Sequence, residues 1–270
     1  MNKDDKKMRF RQKNQSKCTK QLIVWGGVLS YLFSYSVYAQ LPTKVLGSGS
    51  NITIDAQAKE AIWDKVAWRQ LDQVLIGENL SNDDFSGRYK LTWNADALYL
   101  LIEVTDDVLA DTHPDPTVQY WDDDCVEVFV DQDASGGDHL NDYNAFAYHV
   151  GLDRLVSDIG PYEKDGAAYA QTYNSHVNSQ WTRLEHKNNT VLWELEIFTY
   201  DDTFMPANKE SKPSALREGQ TLGFMLAYCD ADLSGSREHF IGSYPIDAVN
   251  GDKNLGYKTA DVFEKIILVK

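Results

Sequence analysis

The segment 120–131 (YWDDDCVEVFVD) joins an indole, a run of carboxylates and a short strand pattern. Successive side chains of a strand point to opposite faces. Glu127 therefore shares one face with Cys125 and Phe129, and the valines at alternate positions take the other face. Sugars present flat C–H faces that stack on aromatic rings, and hydroxyls that bond carboxylates. Trp121 at the mouth of this strand and Glu127 farther along it are thus a candidate sugar-binding pair.

A second strand pattern, residues 145–150 (AFAYHV), places His149 on one face with Ala145 and Ala147. Small residues beside a polar ring leave room for a ligand, and an imidazole can bond a sugar hydroxyl. The alternative is a hydrogen-bonded histidine on a solvated face of a sheet. We add His149 to the candidate carbohydrate-binding residues.

Two acidic stretches share the form Asp-x-Asp-x-Ser-Gly, at 131–136 and 230–235. Oxygen ligands at alternating positions, closed by a Gly that permits a tight turn, are what a calcium ion needs from one loop. Neither stretch is an EF-hand, because strands rather than helices are expected to flank both. Ordinary turn chemistry between strands is the alternative interpretation. The candidate structural calcium ligands are Asp131, Asp133, Asp142, Asp230 and Asp232.

Carboxylates also crowd together at two other predicted strand ends, at Asp106-Asp107 and at 122–124. Such crowding is costly unless a cation, backbone N–H groups or a basic side chain compensates the charge. A metal ion is one explanation, and a solvated loop is the other.

The motifs of hydrolytic enzymes are not found in the sequence. A glycosidase needs two carboxyls facing each other across a cleft, but the Glu-x-Asp-x-x-Glu strand of sandwich-fold glycanases is absent. Glu194 and Glu196 share a face, which we interpret as the solvent side of a strand. Neither a Gly-x-Ser-x-Gly elbow nor a His-Glu-x-x-His zinc helix occurs. The residues therefore favour binding without catalysis.

Composition limits the partners of the chain, which has 270 residues and a formal net charge of −15. Nucleic acid is excluded, because phosphate binding needs a basic surface. With 43% hydrophobic and 12% aromatic residues, the chain can bury a sizeable core. An acidic, aromatic-rich surface suits neutral sugars and divalent cations.

The first 39 residues differ in composition from the rest. A start rich in Lys and Arg precedes an apolar or small run, residues 22–39, that ends in Ala39. This layout predicts a signal peptide at 1–39 and an exported protein, periplasmic or secreted. The alternative is an uncleaved N-terminal membrane anchor, since the run approaches the ~20 residues that span a bilayer. In an oxidising compartment, Cys125 and Cys229 either form a disulfide or stay as buried thiols.

Strand patterns dominate the remainder of the chain. Turn residues separate the predicted strands, which are 88–93, 97–106, 125–131, 145–150, 155–160, 191–198, 221–230 and 263–270. This series predicts an all-β, antiparallel, jelly-roll-like β-sandwich. Residues 59–69 differ, because their apolar spacing indicates a short helix or turn. A Gly/Ser-containing segment at 40–50 is predicted to be a linker, and 51–270 a single domain.

The order of several motifs resembles that of family 9 carbohydrate-binding modules. Asn51-Ile-Thr-Ile-Asp55, followed by Glu60-Ala-Ile-Trp63, is similar to the family's opening "I-D-G-x-x-D-E-x-x-W". The similar segments that follow, in the same order, are 98–107, 124–131, 193–197, 219–224 and 230–232. The resemblance covers nearly all of residues 50–270.

This resemblance implies a β-sandwich with structural calcium that binds glycans, often at chain ends, by clamping a sugar between two aromatic rings. Trp121 would be the first clamp ring, and Glu127 the acid that bonds the sugar. His149 stands where the family's best-known members carry an arginine. The second ring should follow Asp232, and Phe240 is our choice for it.

Modules of this family commonly accompany xylanases and other glycanases. The resemblance therefore implies an oligo- or polysaccharide partner, such as xylan or cellulose, and a role in polysaccharide catabolism. Two other functions stay open. One is a glycan-degrading enzyme of the same fold, and the other is a calcium-stabilised module that binds an envelope component or a protein.

Overall fold

The computed structural model describes residues 41–270 apart from 79, 83, 165–166, 188, 207–210 and 233–234. The predicted signal peptide or anchor, residues 1–39, lies outside these residues. Strands make up nearly all the regular structure that is described: β1 Thr43–Leu46, β2 Arg69–Leu71, β3 Gln73–Ile76, β4 Phe85–Trp93, β5 Leu98–Asp106, β6 Cys125–Asp131, β7 Phe146–Gly151, β8 Val156–Lys164, β9 Ala167–Thr172, β10 Val177–Arg183, β11 Thr190–Ile197, β12 Thr221–Ala231, β13 Arg237–Gly242 and β14 Glu264–Val269. A short 3-10 turn, Ala260–Val262, is the helical element among them.

The strands pair into two sheets. The larger sheet follows the order β1-β14-β12-β6-β7-β8-β9, and β13 joins it beside β12 with β3 beyond. The smaller sheet follows the order β10-β11-β5-β4-β2. Paired strands are antiparallel, except that β1 and β14 run parallel. The predicted all-β sandwich of mainly antiparallel strands is confirmed.

The main core lies between the two sheets. Val126, Val128 and Val130 of β6 point into it, as do Leu100 and Ile102 of β5 in the smaller sheet. This is the side of β6 that the alternation of the sequence assigns to the valines. The opposite face of β6, with Cys125 and Phe129, belongs to a separate apolar cluster. The strand is buried on both sides because its outer face is covered as well.

The chain between β13 and β14 covers the outer face of the larger sheet. Leu255, Tyr257 and Phe263 from this cover pack against the cluster that contains Phe129. At Gly256 the backbone comes so close to the sheet that an added Cβ would lie 2.7 Å from the Phe129 ring. Glycine is therefore required there for the cover to approach β6. The outer face of β6 thus faces a protein wall rather than open solvent.

One boundary drawn from the sequence differs from the structure. The predicted linker 40–50 contains β1, which pairs with β14, so this segment is part of the sandwich. Its strand character escaped detection because four residues are too few to show a period. Of the two possibilities for residues 59–69, a short helix or a turn, the structure shows turns, followed by the start of β2. Trp63 in these turns is 3% exposed and packs on the outer face of the smaller sheet beside Tyr99.

No helix of the described residues is both long and apolar enough to cross a membrane.

Candidate functional site

A cavity of about 250 Å³ lies where the cover meets the outer face of the larger sheet. Its lining combines four strands with two loops, and comprises Tyr120, Trp121, Glu127, His149, Ile159, Arg237, Asn254 and Tyr257. Strands β6, β7 and β8 are neighbours in the sheet, which brings Glu127, His149 and Ile159 side by side. Three of the four residues predicted to bind carbohydrate, Trp121, Glu127 and His149, thus meet around one cavity.

Glu127 and His149 form the floor of the cavity. They are direct cross-strand partners on β6 and β7, and His149 Nε2 lies 3.2 Å from Glu127 Oε2. Only 2% of Glu127 and 7% of His149 are exposed. Burial lowers the pKa of His149, but the adjacent Glu127 carboxylate and the Cys229 sulfur together outweigh this effect and raise that pKa to about 10. The floor is therefore a buried ion pair that can offer both charge signs to a polar ligand.

Aromatic rings form part of the walls. Trp121 is 38% exposed, and its ring packs edge-on against Tyr120 with the centroids 5.1 Å apart. Tyr120 in turn stands edge-on to His149, with 4.6 Å between the ring centroids. Tyr257 of the cover is half-buried, and the Lys258 ammonium lies 4.7 Å from the centre of its ring. The cavity therefore has three aromatic side chains, two from the loop before β6 and one from the cover.

Phe240, the predicted second clamp ring, does not line this cavity. It is 1% exposed and belongs to the apolar cluster on the outer face of the larger sheet. The guanidinium carbon of Arg237 lies 4.5 Å from the centre of the Phe240 ring and covers it. A strand irregularity lies between Arg237 and Phe240 on β13, so the alternation of period two does not hold across these residues. Tyr257 is a further cavity aromatic, and sequence reasoning missed it because the cover has no periodic pattern.

Arg237 and Asn254 are two polar lining residues that sequence reasoning also missed. Arg237 Nη1 donates to Cys229 Sγ at 3.3 Å. Arg237 enters the site because β13 pairs with β12, and Asn254 because the cover folds back over β6. Neither position carries a local signal in the sequence.

Cys125 and Cys229 lie opposite each other on β6 and β12 as free, buried thiols. Of the two states that the sequence left open, the structure shows the thiols. Burial raises the pKa of the Cys229 thiol, but Cys125, the Arg237 guanidinium and His149 together lower it well below its usual range. These sulfurs lie on the outer face of the larger sheet, the face of β6 that also carries Glu127.

The loop carboxylates predicted to bind calcium are engaged with backbone N–H groups. Asp131 accepts from the amides of Asp133 and Gly136 at 3.2 and 2.8 Å, and Asp142 accepts from Asn144 at 2.9 Å. These are turn contacts of the kind that short acidic side chains make in loops. Within the described chain, no three-ligand group contains Asp131, Asp133, Asp142 or Asp232. The alternative interpretation, ordinary turn chemistry, describes this geometry.

A different acidic cluster unites Asp106, Asp124 and Asp230, one from each of three chain regions. Their carboxylate oxygens lie within 4.8 Å of one another, and all three residues are buried. Asp124 accepts from the Ala231 amide at 2.7 Å, and Asp106 accepts from the Tyr228 hydroxyl at 2.7 Å. Asp230 was among the predicted ligands, and Asp106 and Asp124 belong to the two crowded strand ends.

Burial and mutual repulsion raise the pKa values of this acidic cluster. Burial, followed by repulsion from Asp106, raises the pKa of Asp124 to about 9. Burial also raises the pKa of Asp106 to about 7, to which repulsion from Asp230 contributes. His239 Nδ1 lies 3.0 Å from Asp230 Oδ2 and pairs with that carboxylate. The other two buried carboxyls are costly to ionise unless a cation binds between them. An all-oxygen donor set of this kind fits a hard ion such as calcium.

The sequence profile of the family described as "Carbohydrate family 9 binding domain-like" matches residues 54–270. The chain therefore belongs to this family, and the resemblance noted in the sequence is confirmed. No curated protein matches the chain.

Solved structures of similar fold come from two bacteria. A family 9 carbohydrate-binding module from Caldicellulosiruptor kristjanssonii, in complex with cellotriose, superimposes with a TM-score of 0.59 at 18% identity, covering 84% of this chain and 94% of the module. The complex of such a module with glucose gives 0.58 at 19% identity, with 84% and 95% covered. A carbohydrate-binding candidate from Bacteroides uniformis gives 0.52 at 13% identity, with 84% and 97% covered. At these identities the likeness establishes the fold.

Proposed function

We propose that this chain binds one sugar unit of a plant-type glycan, such as a cellulose- or xylan-derived oligosaccharide, without cleaving it. The observation that carries the proposal is an exposed indole, Trp121, at the rim of a cavity whose floor is the buried Glu127. Family membership supports it, as do the neighbours of the same fold whose structures contain cellotriose or glucose. The cavity is smaller than the roughly 300–1,000 Å³ of drug-sized ligand sites, so a single ring is the unit that it suits.

The walls and the floor would have different tasks. Trp121 offers a flat apolar face to the C–H side of a sugar ring, and Tyr257 offers a second face from the cover. Glu127 accepts from hydroxyls, Arg237 donates to them, and Asn254 can do both. Because Glu127 and His149 already bond each other, the acid is held in place before the ligand arrives, which lowers the entropy cost of binding.

Calorimetric titration with cello- and xylo-oligosaccharides tests this site. We expect Trp121→Ala to weaken binding at least tenfold, because a central aromatic contact contributes about 1.5–3 kcal/mol. Tyr169→Ala is the matched control, since Tyr169 is equally exposed at 37% and does not line the cavity. Unchanged affinity in Trp121→Ala, or equal losses in both variants, would contradict the assignment.

The number of carboxylates in the cavity supports binding without cleavage. Glu127 is the one carboxylate among the lining residues of the cavity, whereas glycosidic hydrolysis by acids needs a pair. The His149 imidazole pairs with it instead. Incubation with the oligosaccharides that bind should release no reducing sugar, and release that Glu127→Gln abolishes would favour the enzyme alternative.

We also propose a structural calcium ion held by Asp106, Asp124 and Asp230. A divalent cation there would relieve the repulsion between three buried carboxylates and use oxygen donors, as calcium requires. In this proposal the ion binds at the acidic cluster, whereas the sequence predicted it in the acidic loops. It also accommodates the alternative of a calcium-stabilised module that binds an envelope component.

Thermal unfolding with and without EDTA tests the calcium site. Chelation should lower Tm, and added calcium should restore it, because an ion that binds only the folded state stabilises by mass action. In Asp124→Asn the recovery of Tm on calcium addition should be lost, whereas in the loop variant Asp142→Asn it should persist. A calcium-dependent recovery of equal size in both variants would place the ion elsewhere.

Export and a role in polysaccharide catabolism remain proposals from the sequence. They rest on the basic and apolar pattern of residues 1–39 and on the family. Mass spectrometry of the protein recovered from cell fractions tests them. A chain beginning near residue 40 in the periplasm or medium is expected, and an intact chain in the membrane fraction would favour the anchor.

A further inference from the structure

A cluster of sulfur and nitrogen ligands lies beside the cavity floor, on the outer face of the larger sheet. Cys125, His149 and Cys229 belong to β6, β7 and β12, of which β6 is the middle strand. One ligand atom from each lies within 4.8 Å of the others, and all three residues are buried. In the proposed sugar site only His149 has a task, and the two thiols have none.

We propose that Cys125, Cys229 and His149 bind a zinc ion beside the cavity, on the same outer face of the larger sheet. Two thiolates and an imidazole are a donor set that selects thiophilic metals over calcium or magnesium. Three protein ligands of this type, with a fourth position left open, are also a known arrangement for zinc. Binding would release the two thiol protons and the Nε2 proton of His149, and leave two thiolates and a neutral imidazole on the metal.

The surroundings of the three ligands are arranged as those of a metal site. His149 Nδ1 lies 3.2 Å from the carbonyl oxygen of Ala147, a contact that holds the ring. Nε2, which otherwise pairs with Glu127 Oε2, would lose its proton and become the nitrogen ligand. Arg237 donates an N–H to Cys229 Sγ, which is an outer-shell contact to a ligand sulfur. The ion would thus enter a group of donors that is already oriented.

Charge balance favours a divalent ion over a monovalent one. With His149 as a neutral ligand, two thiolates and the Glu127 carboxylate carry three negative charges, and Arg237 with Zn²⁺ would carry three positive charges. Unbalanced charge is expensive in a buried site, so this neutrality matters. Glu127 Oε2 lies 3.2 Å from His149 Nε2, so the acid is next to one of the proposed ligands.

Cobalt titration followed by absorption spectroscopy tests the zinc site. The full chain carries Cys18→Ser throughout, so that only the two proposed thiols remain, and a reductant without thiols is used. One equivalent of Co²⁺ should produce thiolate-to-metal charge-transfer absorption, and Zn²⁺ should bleach it. Cys125→Ser and Cys229→Ser should each remove most of the absorption, whereas Asp124→Asn, in the acidic cluster, should retain it.

A second variant keeps the test valid if a cysteine substitution prevents folding. His149→Gln leaves both sulfurs in place and should weaken Co²⁺ binding at least tenfold while charge-transfer absorption persists at saturation. Absence of the absorption in the reduced parent protein would overturn the proposal, as would full absorption in the double cysteine variant. Sugar affinity is measured separately on the same samples, so failure of the zinc site and failure of the sugar site are distinguishable.

Discussion

At the scale of single residues, Arg237 connects the cavity with the layer beneath it. Its guanidinium covers the Phe240 ring, donates to the Cys229 sulfur and reaches the cavity wall. A planar, permanently charged group is suited to such simultaneous stacking and hydrogen bonding. Phe240 therefore supports the site from below through Arg237, whereas Trp121 and Tyr257 are the rings available to a ligand.

The ring and the hydroxyl of Tyr257 make separable contributions at this scale. Tyr257→Ala should weaken oligosaccharide binding about tenfold, because it removes the stacking surface of the cover. Tyr257→Phe should stay within about threefold of the parent affinity, because the ring remains. Calorimetric titration measures both, and equal losses in the two variants would mean that the hydroxyl, not the ring, contacts the sugar.

The buried position of Phe240 leads to the opposite expectation for that ring. Phe240→Leu should lower the free energy of unfolding by about 1–2 kcal/mol, because a smaller side chain fills the cluster imperfectly. Sugar affinity should change less than threefold, since the ring does not face the cavity. Urea unfolding and calorimetry on the same protein test this, and a binding loss as large as that of Trp121→Ala would restore Phe240 as a clamp ring.

At the scale of elements, short strands with long-range partners complete the sandwich. β1 pairs with β14 along four residues, and Val45 within it is 3% exposed. The Trp93 indole of β4 donates to the Val45 carbonyl at 3.0 Å. β1 thus connects the larger sheet with a strand of the smaller one, although its own sequence predicts a linker.

Removal of β1 should therefore destabilise the fold. A chain that begins at residue 51 should melt about 3–12 °C lower than one that begins at residue 41. Burial of a valine contributes about 1.5–3 kcal/mol, and each kcal/mol corresponds to about 2–4 °C in a domain of this size. Thermal unfolding followed by circular dichroism measures the difference, and equal Tm values would mean that 41–50 behave as a linker after all.

At the scale of the whole molecule, an aromatic cluster closes one end of the core around His176. The imidazole stacks on Tyr200 with the centroids 3.9 Å apart, and its Nδ1 lies 2.7 Å from the Tyr148 hydroxyl. The rings of Phe146 and Phe204 meet it edge-on. Burial lowers the pKa of His176 from 6.5 to about 3. The folded chain therefore keeps this histidine neutral in weak acid.

The lowered pKa makes global stability depend on pH. Between pH 6.5 and about 3 the unfolded state binds a proton at His176 that the folded state does not, so stability falls as pH falls. The expected loss approaches about 1.4 kcal/mol per pH unit below pH 6.5. Urea unfolding at several pH values should show a smaller loss for His176→Phe, and identical pH dependence in parent and variant would contradict the neutral histidine.

The sequence by itself determined the class of fold, the strand that carries Glu127 and the face on which Glu127 points. Strand periodicity is local, so a few residues suffice to place Glu127 opposite the valines of β6, and His149 on one face with Ala145 and Ala147. The pairing of β6 with β7, which the structure shows, puts Glu127 and His149 side by side. The order of the motifs was also sufficient to identify the family, because this order is retained when the residues between the motifs diverge.

Only the tertiary structure decided which distant residues join them. Tyr257, Arg237 and Asn254 reach the cavity through the order of strands and the path of the cover, neither of which any local pattern encodes. The acidic cluster arose in the same way, since Asp106 and its hydrogen-bond partner Tyr228 are 122 positions apart. Phe240 was misplaced for the same physical reason: whether a ring is covered depends on the side chains that pack over it, and these come from elsewhere in the chain.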